Sequence, residues 1–188
     1  MKISEADILI LPGLGNSGEG HWQRRWAERF STGRLVEHEE WERPVLADWV
    51  ARIHQDIMLA TRPVVLIAHS LACSAVVHTA QNLKDAKVRG AFLVSPPDLE
   101  NEDVVAGLPH EVRTFRNVPR DPLPFPSLLV ASTNDPYVSV EKAVDMSTAW
   151  GSELHLAGEA GHINLASGHG PWPEGLLMFT RLMQRLRA

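Results

Sequence analysis

Short runs of consecutive apolar residues, each followed by a stretch with helical spacing, constrain the fold of this chain more than any other feature. Ile8 to Leu11 is fully apolar and is stopped by Pro12-Gly13. Val64 to Ile67 is a second such run, and residues 88–95 and 128–132 hold two more. A strand with one face in water alternates apolar and polar residues, because successive side chains point to opposite sides of the sheet. These runs do not alternate, so both faces of each strand must be covered. A parallel sheet with helices on both faces meets that demand.

The intervening stretches supply the helices. Residues 45–60 place Leu46, Trp49, Val50, Ile53 and Ile57 at three- and four-residue steps, which is one face of a helix. Further helices are expected at about 21–30, 71–83, 138–150 and 174–187, with Pro173 at the first turn of the last. Strands at 34–37 and 153–157 complete a set of six. The expectation is one α/β domain over residues 1–188, built on a central, mostly parallel six-stranded sheet. Residues 96–126 hold seven prolines and read as loop, with one short helix near 102–106. That insertion and the loop at 15–22 are expected to set substrate choice, but the insertion is too short for a large helical cap, so little or no lid and a shallow, open site are expected.

Composition narrows the classes of function. Apolar residues make up 44% of the chain and charged residues 22%, enough to bury a continuous core without staples. The formal charge is −5 and no stripe of Lys or Arg runs along the chain, which argues against nucleic acid and anionic membrane as partners. The densest basic cluster, Arg181 to Arg187, has Met178, Leu182 and Leu186 on the opposite helical face. A single cysteine, Cys73, excludes an internal disulfide. The first seven residues lack the apolar centre of a signal peptide, and no run reaches the length of a membrane span. A cytoplasmic protein is the expectation.

The segment Val64 to Ala75 carries the chemistry. A buried strand stops, the chain turns at Ala68-His69-Ser70-Leu71-Ala72, and a helix follows. That is the layout of a nucleophile elbow, in which a serine hydroxyl is exposed at the apex of a strand-to-helix turn. The usual pattern is Gly-x-Ser-x-Gly, and here alanines stand in both glycine places. Small side chains are needed where strand and helix nearly touch, and a methyl group is the smallest departure.

Ligands bind beyond the carboxyl ends of the strands in open parallel sheets. Ser70, Asp135 and His162 each fall at such an end, in the chain order Ser, Asp, His of the α/β-hydrolases. Serine needs an imidazole to take its proton, and the imidazole needs a carboxylate to fix its tautomer. Two backbone N–H groups must hold the developing oxyanion. Leu71 is expected to supply one and Leu14, with Gly15 next in line, the other. Gly15, Asn16, His21 and Trp22 are expected to contact substrate, with Trp172 as a further apolar wall, although six tryptophans in a chain of this size more often serve core and surface packing. Taken singly, a serine here also serves as a helix cap, Asn-Asp-Pro as a turn, and a glycine-flanked histidine as loop. The coincidence of all three favours catalysis.

The rivals are weaker. His169 competes with His162 as the base but lies farther from the last strand. Asp98 and Asp121 sit inside the proline-rich segment. His69 reads as packing behind the nucleophile, and Cys73 as buried. Gly13-Leu14-Gly15 with Gly18 lacks the full Gly-x-Gly-x-x-Gly pattern and the Gly-Lys-Ser/Thr ending of phosphate loops. No metal-ligand spacing occurs among the nine histidines, and no metal or cofactor is expected.

With these residues in view the chain resembles the serine hydrolases grouped with retinoblastoma-binding protein 9 and the bacterial YdeN-like proteins, small α/β-hydrolases. The matching stretches are Leu11-Pro12-Gly13 with Gly20-His21-Trp22, Ala68 to Ala72, Asn134-Asp135-Pro136, Gly161-His162-Ile163-Asn164, and the tail Ser167 to Gly175. The resemblance implies Ser70 as nucleophile, Asp135 as orienter and His162 as base. It does not carry over a Leu-x-Cys-x-Glu pocket-protein motif, because Leu71-Ala72-Cys73-Ser74-Ala75 lacks the glutamate. The expected activity is cleavage of a small ester, thioester or amide. A non-catalytic binding protein on the same scaffold, and an acyltransferase, stand as alternatives. The expected partner is a small acyl substrate, and oligomeric state is not legible.

Overall fold

The computed structural model describes residues 1–83 and 87–186. Six strands, β1 (Asp7–Leu11), β2 (Gly33–Leu35), β3 (Val64–His69), β4 (Val88–Val94), β5 (Ser127–Ala131) and β6 (Glu153–Leu156), form one sheet. Their order is β2-β1-β3-β4-β5-β6 and every neighbouring pair is parallel. Six helices connect or close them: α1 (Trp22–Arg29), α2 (Leu46–Leu59), α3 (Leu71–Ala80), α4 (Glu102–Ala106), α5 (Val140–Trp150) and α6 (Pro173–Arg185). This is a compact α/β-hydrolase fold.

Residue alternation sorts the strands onto two cores. Leu9, Leu11, Leu66, Ala68, Leu93, Leu129 and Ala131 face the side covered by α2, α3 and α5. Ile8, Ile10, Val65, Ile67, Phe92, Val94, Leu128 and Val130 face α1 and α6. Each buried Leu, Ile or Phe contributes roughly 1.5–3 kcal/mol of transfer free energy, so unbroken apolar runs stabilise both layers together. Helix α3 lies in the densest place, with nine of its ten residues buried. Ala72, Ser74 and Ala75 let its backbone approach the sheet.

Several element ends differ from expectation. Helix α3 ends at Ala80, three residues before the expected Leu83. Gln81 and Asn82 continue as turn, and the N–H groups of Asn82 and Leu83 donate to the carbonyls of Thr79 and Ala80. Strand β2 spans Gly33–Leu35 instead of 34–37. Helix α5 starts at Val140, where Ser139 Oγ accepts the N–H of Lys142 at 3.1 Å, and it stops at Gly151 with φ +64°. Helix α6 begins at Pro173, and Arg187 lies outside the described residues. The proline-rich segment holds α4 as expected and also a 3-10 turn at His110–Phe115 that buries Val112 and Phe115.

The register positions the site. Leu11 of β1 pairs with Ala68 of β3, and His69 of β3 with Val94 of β4. The carboxyl ends of the three central strands therefore finish at one edge. No helix among the described residues is long and apolar enough to cross a membrane.

Candidate active site

Ser70 sits at the apex of a sharp turn with φ 55° and ψ −128°, a region that L-residues rarely adopt. Strain of this kind costs on the order of 1–3 kcal/mol and persists only where the surroundings enforce it. Here the enforcement is visible. The Ser70 N–H donates to Val94 O at 2.9 Å, and Cys73 N–H donates to Ser70 O at 2.9 Å. Ala68 and Ala72 are fully buried on either side. Gly13 presses against the turn so closely that a β-carbon on it would lie 2.9 Å from both His69 O and Ser70 Cβ.

Ser70, His162 and Asp135 meet at this edge. Ser70 Oγ lies 2.8 Å from His162 Nε2. His162 Nδ1 lies 3.0 and 2.9 Å from the two oxygens of Asp135. An ionised carboxylate only accepts, so the imidazole proton belongs on Nδ1 and the lone pair on Nε2 faces the hydroxyl. The Asp135 side chain is completely buried, and its Oδ1 also accepts the N–H of Tyr137 at 2.9 Å. The Tyr137 ring stands edge-on to His162 with centroids 4.6 Å apart.

The loop that carries His162 is fixed residue by residue. Ser132 Oγ accepts the N–H of Ala160 at 2.9 Å, and Asn134 Oδ1 accepts that of Gly161 at 2.7 Å. His69 Nε2 donates to the carbonyl of His162 at 2.9 Å. Trp22 Nε1 donates to the carbonyl of Ile163, also at 2.9 Å. The loop needs this support because Gly161 and Ile163 both have positive φ, 58° and 48°. His69 is buried, as its place in the elbow suggested, and burial holds its pKa well below the ordinary histidine value. It is a neutral donor.

A cavity of about 300 Å³ opens over Ser70. Leu14, Asn16, His21 and Leu71 line it. The N–H groups of Leu14 and Leu71 have no hydrogen-bond partner among the described residues. Gly15 and Trp22 are corrections. Gly15 donates its N–H to Trp41 O at 3.1 Å and lies outside the lining. Trp22 is fully buried, packed on Trp26 and Trp172 with ring centroids 4.8 and 5.1 Å away. Trp172 is likewise in the core and forms no wall. Pro97, Leu108 and Val112 line the cavity from the 96–126 segment expected to set substrate choice, whereas Tyr137 and Leu165 also line it and were not foreseen. A 3-10 turn near residue 110 was the missing signal, since it turns Val112 inward.

The rival groups are engaged elsewhere. His169 Nδ1 lies 3.1 Å from Ser167 Oγ and its ring packs near Trp172. Asp98 pairs with Lys142 at 3.3 Å. Asp121 is exposed and lies outside the cavity lining. The Cys73 thiol is buried, which pushes its pKa upward and keeps the thiolate from forming. Burial likewise lowers His21 to about 4, helped by the positive charge available to His162 and His169. Its Nδ1 accepts the N–H of Gln23 at 3.2 Å and so caps α1. No group of three or more His, Cys, Asp or Glu residues among the described ones is placed to hold a metal.

The family described as Serine hydrolase matches residues 8–181. The chain belongs to the serine hydrolase family. Within this family, a YdeN-like hydrolase from Pectobacterium atrosepticum is 34% identical, with a TM-score of 0.83 over 95% of this chain and 91% of that one. The B. subtilis ydeN gene product is 18% identical with a TM-score of 0.76, over 96% of this chain and 100% of that one. The esterase RhEst1 from Rhodococcus sp. ECU1013 is 14% identical with a TM-score of 0.65, over 97% of this chain and 91% of that one. The last two likenesses show the fold alone. A search of curated proteins gives no match. The serine hydrolase assignment makes the chain a hydrolase and agrees with the YdeN-like motifs read from its sequence.

Proposed function

We propose that Ser70, His162 and Asp135 act as a catalytic triad that hydrolyses a small ester, thioester or amide through an acyl-enzyme. One observation carries the reading: a buried carboxylate, an imidazole and a serine hydroxyl stand in a single relay with contacts of 2.9 and 2.8 Å. His162 Nε2 takes the hydroxyl proton as Oγ bonds to the carbonyl carbon. The carbonyl π electrons move to oxygen, where the N–H groups of Leu71 and Leu14 receive the charge. Collapse expels the leaving group, which takes the proton from His162. Water then repeats the sequence on the acyl-enzyme and frees Ser70. Asp135 holds Nδ1–H throughout and stabilises the imidazolium. Every step uses groups of the chain and water.

Leu71 sits at the first turn of α3, where unpaired N–H groups and the helix dipole favour negative charge. Asn16 and His21 lie on the cavity wall where an acyl or leaving group would rest. A fluorophosphonate probe and a panel of p-nitrophenyl esters of rising chain length test the reading. Wild type should be labelled and should turn esters over. Ser70→Ala should lose labelling and lose up to about a million-fold in turnover. Wild-type activity in Ser70→Ala would remove the mechanism, and an unlabelled wild type would favour a binding protein. Product analysis with added alcohols separates hydrolysis from acyl transfer.

A further inference from the structure

The cavity over Ser70 has an unusual electrical character for a protein of formal charge −5. Its sides are Leu14, Pro97, Leu108, Val112, Tyr137 and Leu165, and its polar groups are amides, the hydroxyls of Ser70 and Tyr137, and imidazoles. No Lys, Arg, Asp or Glu among the described residues lines it. Basic side chains near the wall are engaged elsewhere: Arg24 and Arg25 donate to the backbone carbonyls of Ser17 and Gly20, at 3.0 and 2.9 Å, and three others pair with carboxylates. Arg113, beside Val112, lies 3.4 Å from Glu102. Arg116 lies 3.7 Å from Glu100 and 2.5 Å from Glu102. Lys142 lies 3.3 Å from Asp98. His21 and His69 are held neutral by burial, so neither stands in for a missing cation.

An anionic group on the acyl chain would shed its hydration and meet no basic side chain on the wall, the N–H groups of Leu71 and Leu14 being taken by the carbonyl oxygen. That is costly in a low-dielectric site. It would also approach against the field of a net negative surface. From this we infer that the site takes acyl groups bearing no carboxylate, sulfate or phosphate, and rejects the same chain once it carries one. The inference rests on the reading of Ser70 as nucleophile and adds the substrate class. The acyl site is a slot without charged side chains whose selectivity comes from what its wall omits.

The test compares two esters of equal acyl length, p-nitrophenyl hexanoate and p-nitrophenyl hydrogen adipate, which differ by the terminal carboxylate. Wild type should favour hexanoate in kcat/KM by about a hundredfold or more. Leu165→Arg then places a cation at the rim, at a position 51% exposed, where a long side chain keeps its head in water. It should narrow the preference at least about tenfold, chiefly by raising the rate on adipate. Leu108→Lys, at another lining position, should act in the same direction, and circular dichroism checks that both variants fold.

Similar wild-type rates on both esters, lost together in Ser70→Ala, would overturn this inference and leave the hydrolase reading standing. A large wild-type preference that neither cation narrows would overturn the missing counter-charge as its cause. Rates on either ester that survive Ser70→Ala would overturn the hydrolase reading, and this inference with it.

Discussion

Gly13 and Ser70 occupy one tight contact, and each constrains the other. A methyl group on Gly13 would strike a backbone oxygen and the β-carbon of Ser70, neither of which swings aside. Gly13→Ala should therefore displace the nucleophile. Expected outcomes are a loss of stability of about 1–3 kcal/mol and a fall in kcat of at least about tenfold, read by thermal melting and ester turnover. A variant with both quantities unchanged would mean that the elbow yields. Asp135→Asn should cost on the order of ten thousand-fold in kcat by presenting the wrong tautomer, with the melting temperature little altered as the check that packing survives. The three polar residues were legible in the sequence because each follows an expected strand, two of them unbroken apolar runs and the third the alternating Glu153 to Ala157, and parallel topology puts the ends of such strands on one edge. Trp22 was not. An indole suits a pocket wall and a core equally well, and only the neighbours Trp26, Trp172 and Ile163 decide between them.

Four side chains from three parts of the chain clamp the stretch from Ala160 to Ile163. Trp22 belongs to α1, His69 ends β3, and Ser132 and Asn134 follow β5. On the proposed triad, His69 is the member nearest Ser70 and acts through the His162 carbonyl as a positioning residue. His69→Phe fills the space without a donor, while His69→Gln restores one. Phe should lower kcat by about tenfold to a hundredfold with KM within about threefold, since small misplacement of a base is costly. Gln should recover most of that loss. Equal losses in both variants, or a change confined to KM, would show that the hydrogen bond is not what matters. No pattern in the sequence announces this clamp, because its members are separated by tens of residues and meet only through the sheet. Helix and strand identities were legible from periodicity. Their ends were less so: α3 stops where turn bonds at Thr79 and Ala80 replace the helical pattern, and the turn at His110–Phe115 carries no long apolar period.

At the scale of the molecule, several buried histidines tie stability to pH. His38 stacks on Trp49 at 4.2 Å, and burial, then the nearby Arg52, holds it at about 4 against the ordinary 6.5, with Asp56 opposing. His21 is held at about 4 as well. Between these values the unfolded chain binds protons that the folded chain refuses. Stability is therefore full above pH 6.5 and declines as pH falls toward about 4. Urea midpoints measured from pH 7 to pH 5 should drop, and His38→Phe should flatten part of the slope; an unchanged slope would discharge His38 from the effect. The architecture itself was the most legible layer, since unalternating runs leave a covered parallel sheet as their outlet. One of its strands has a sequel. Strand β6 is joined to its neighbours on one side only, through β5, and Glu153, His155 and Leu156 are exposed. His162, the proposed base, lies on the loop that follows that margin. Fraying there would disarm the protein while the tryptophans of both interior layers still report an intact fold. On a denaturant ramp, turnover should vanish before intrinsic fluorescence shifts.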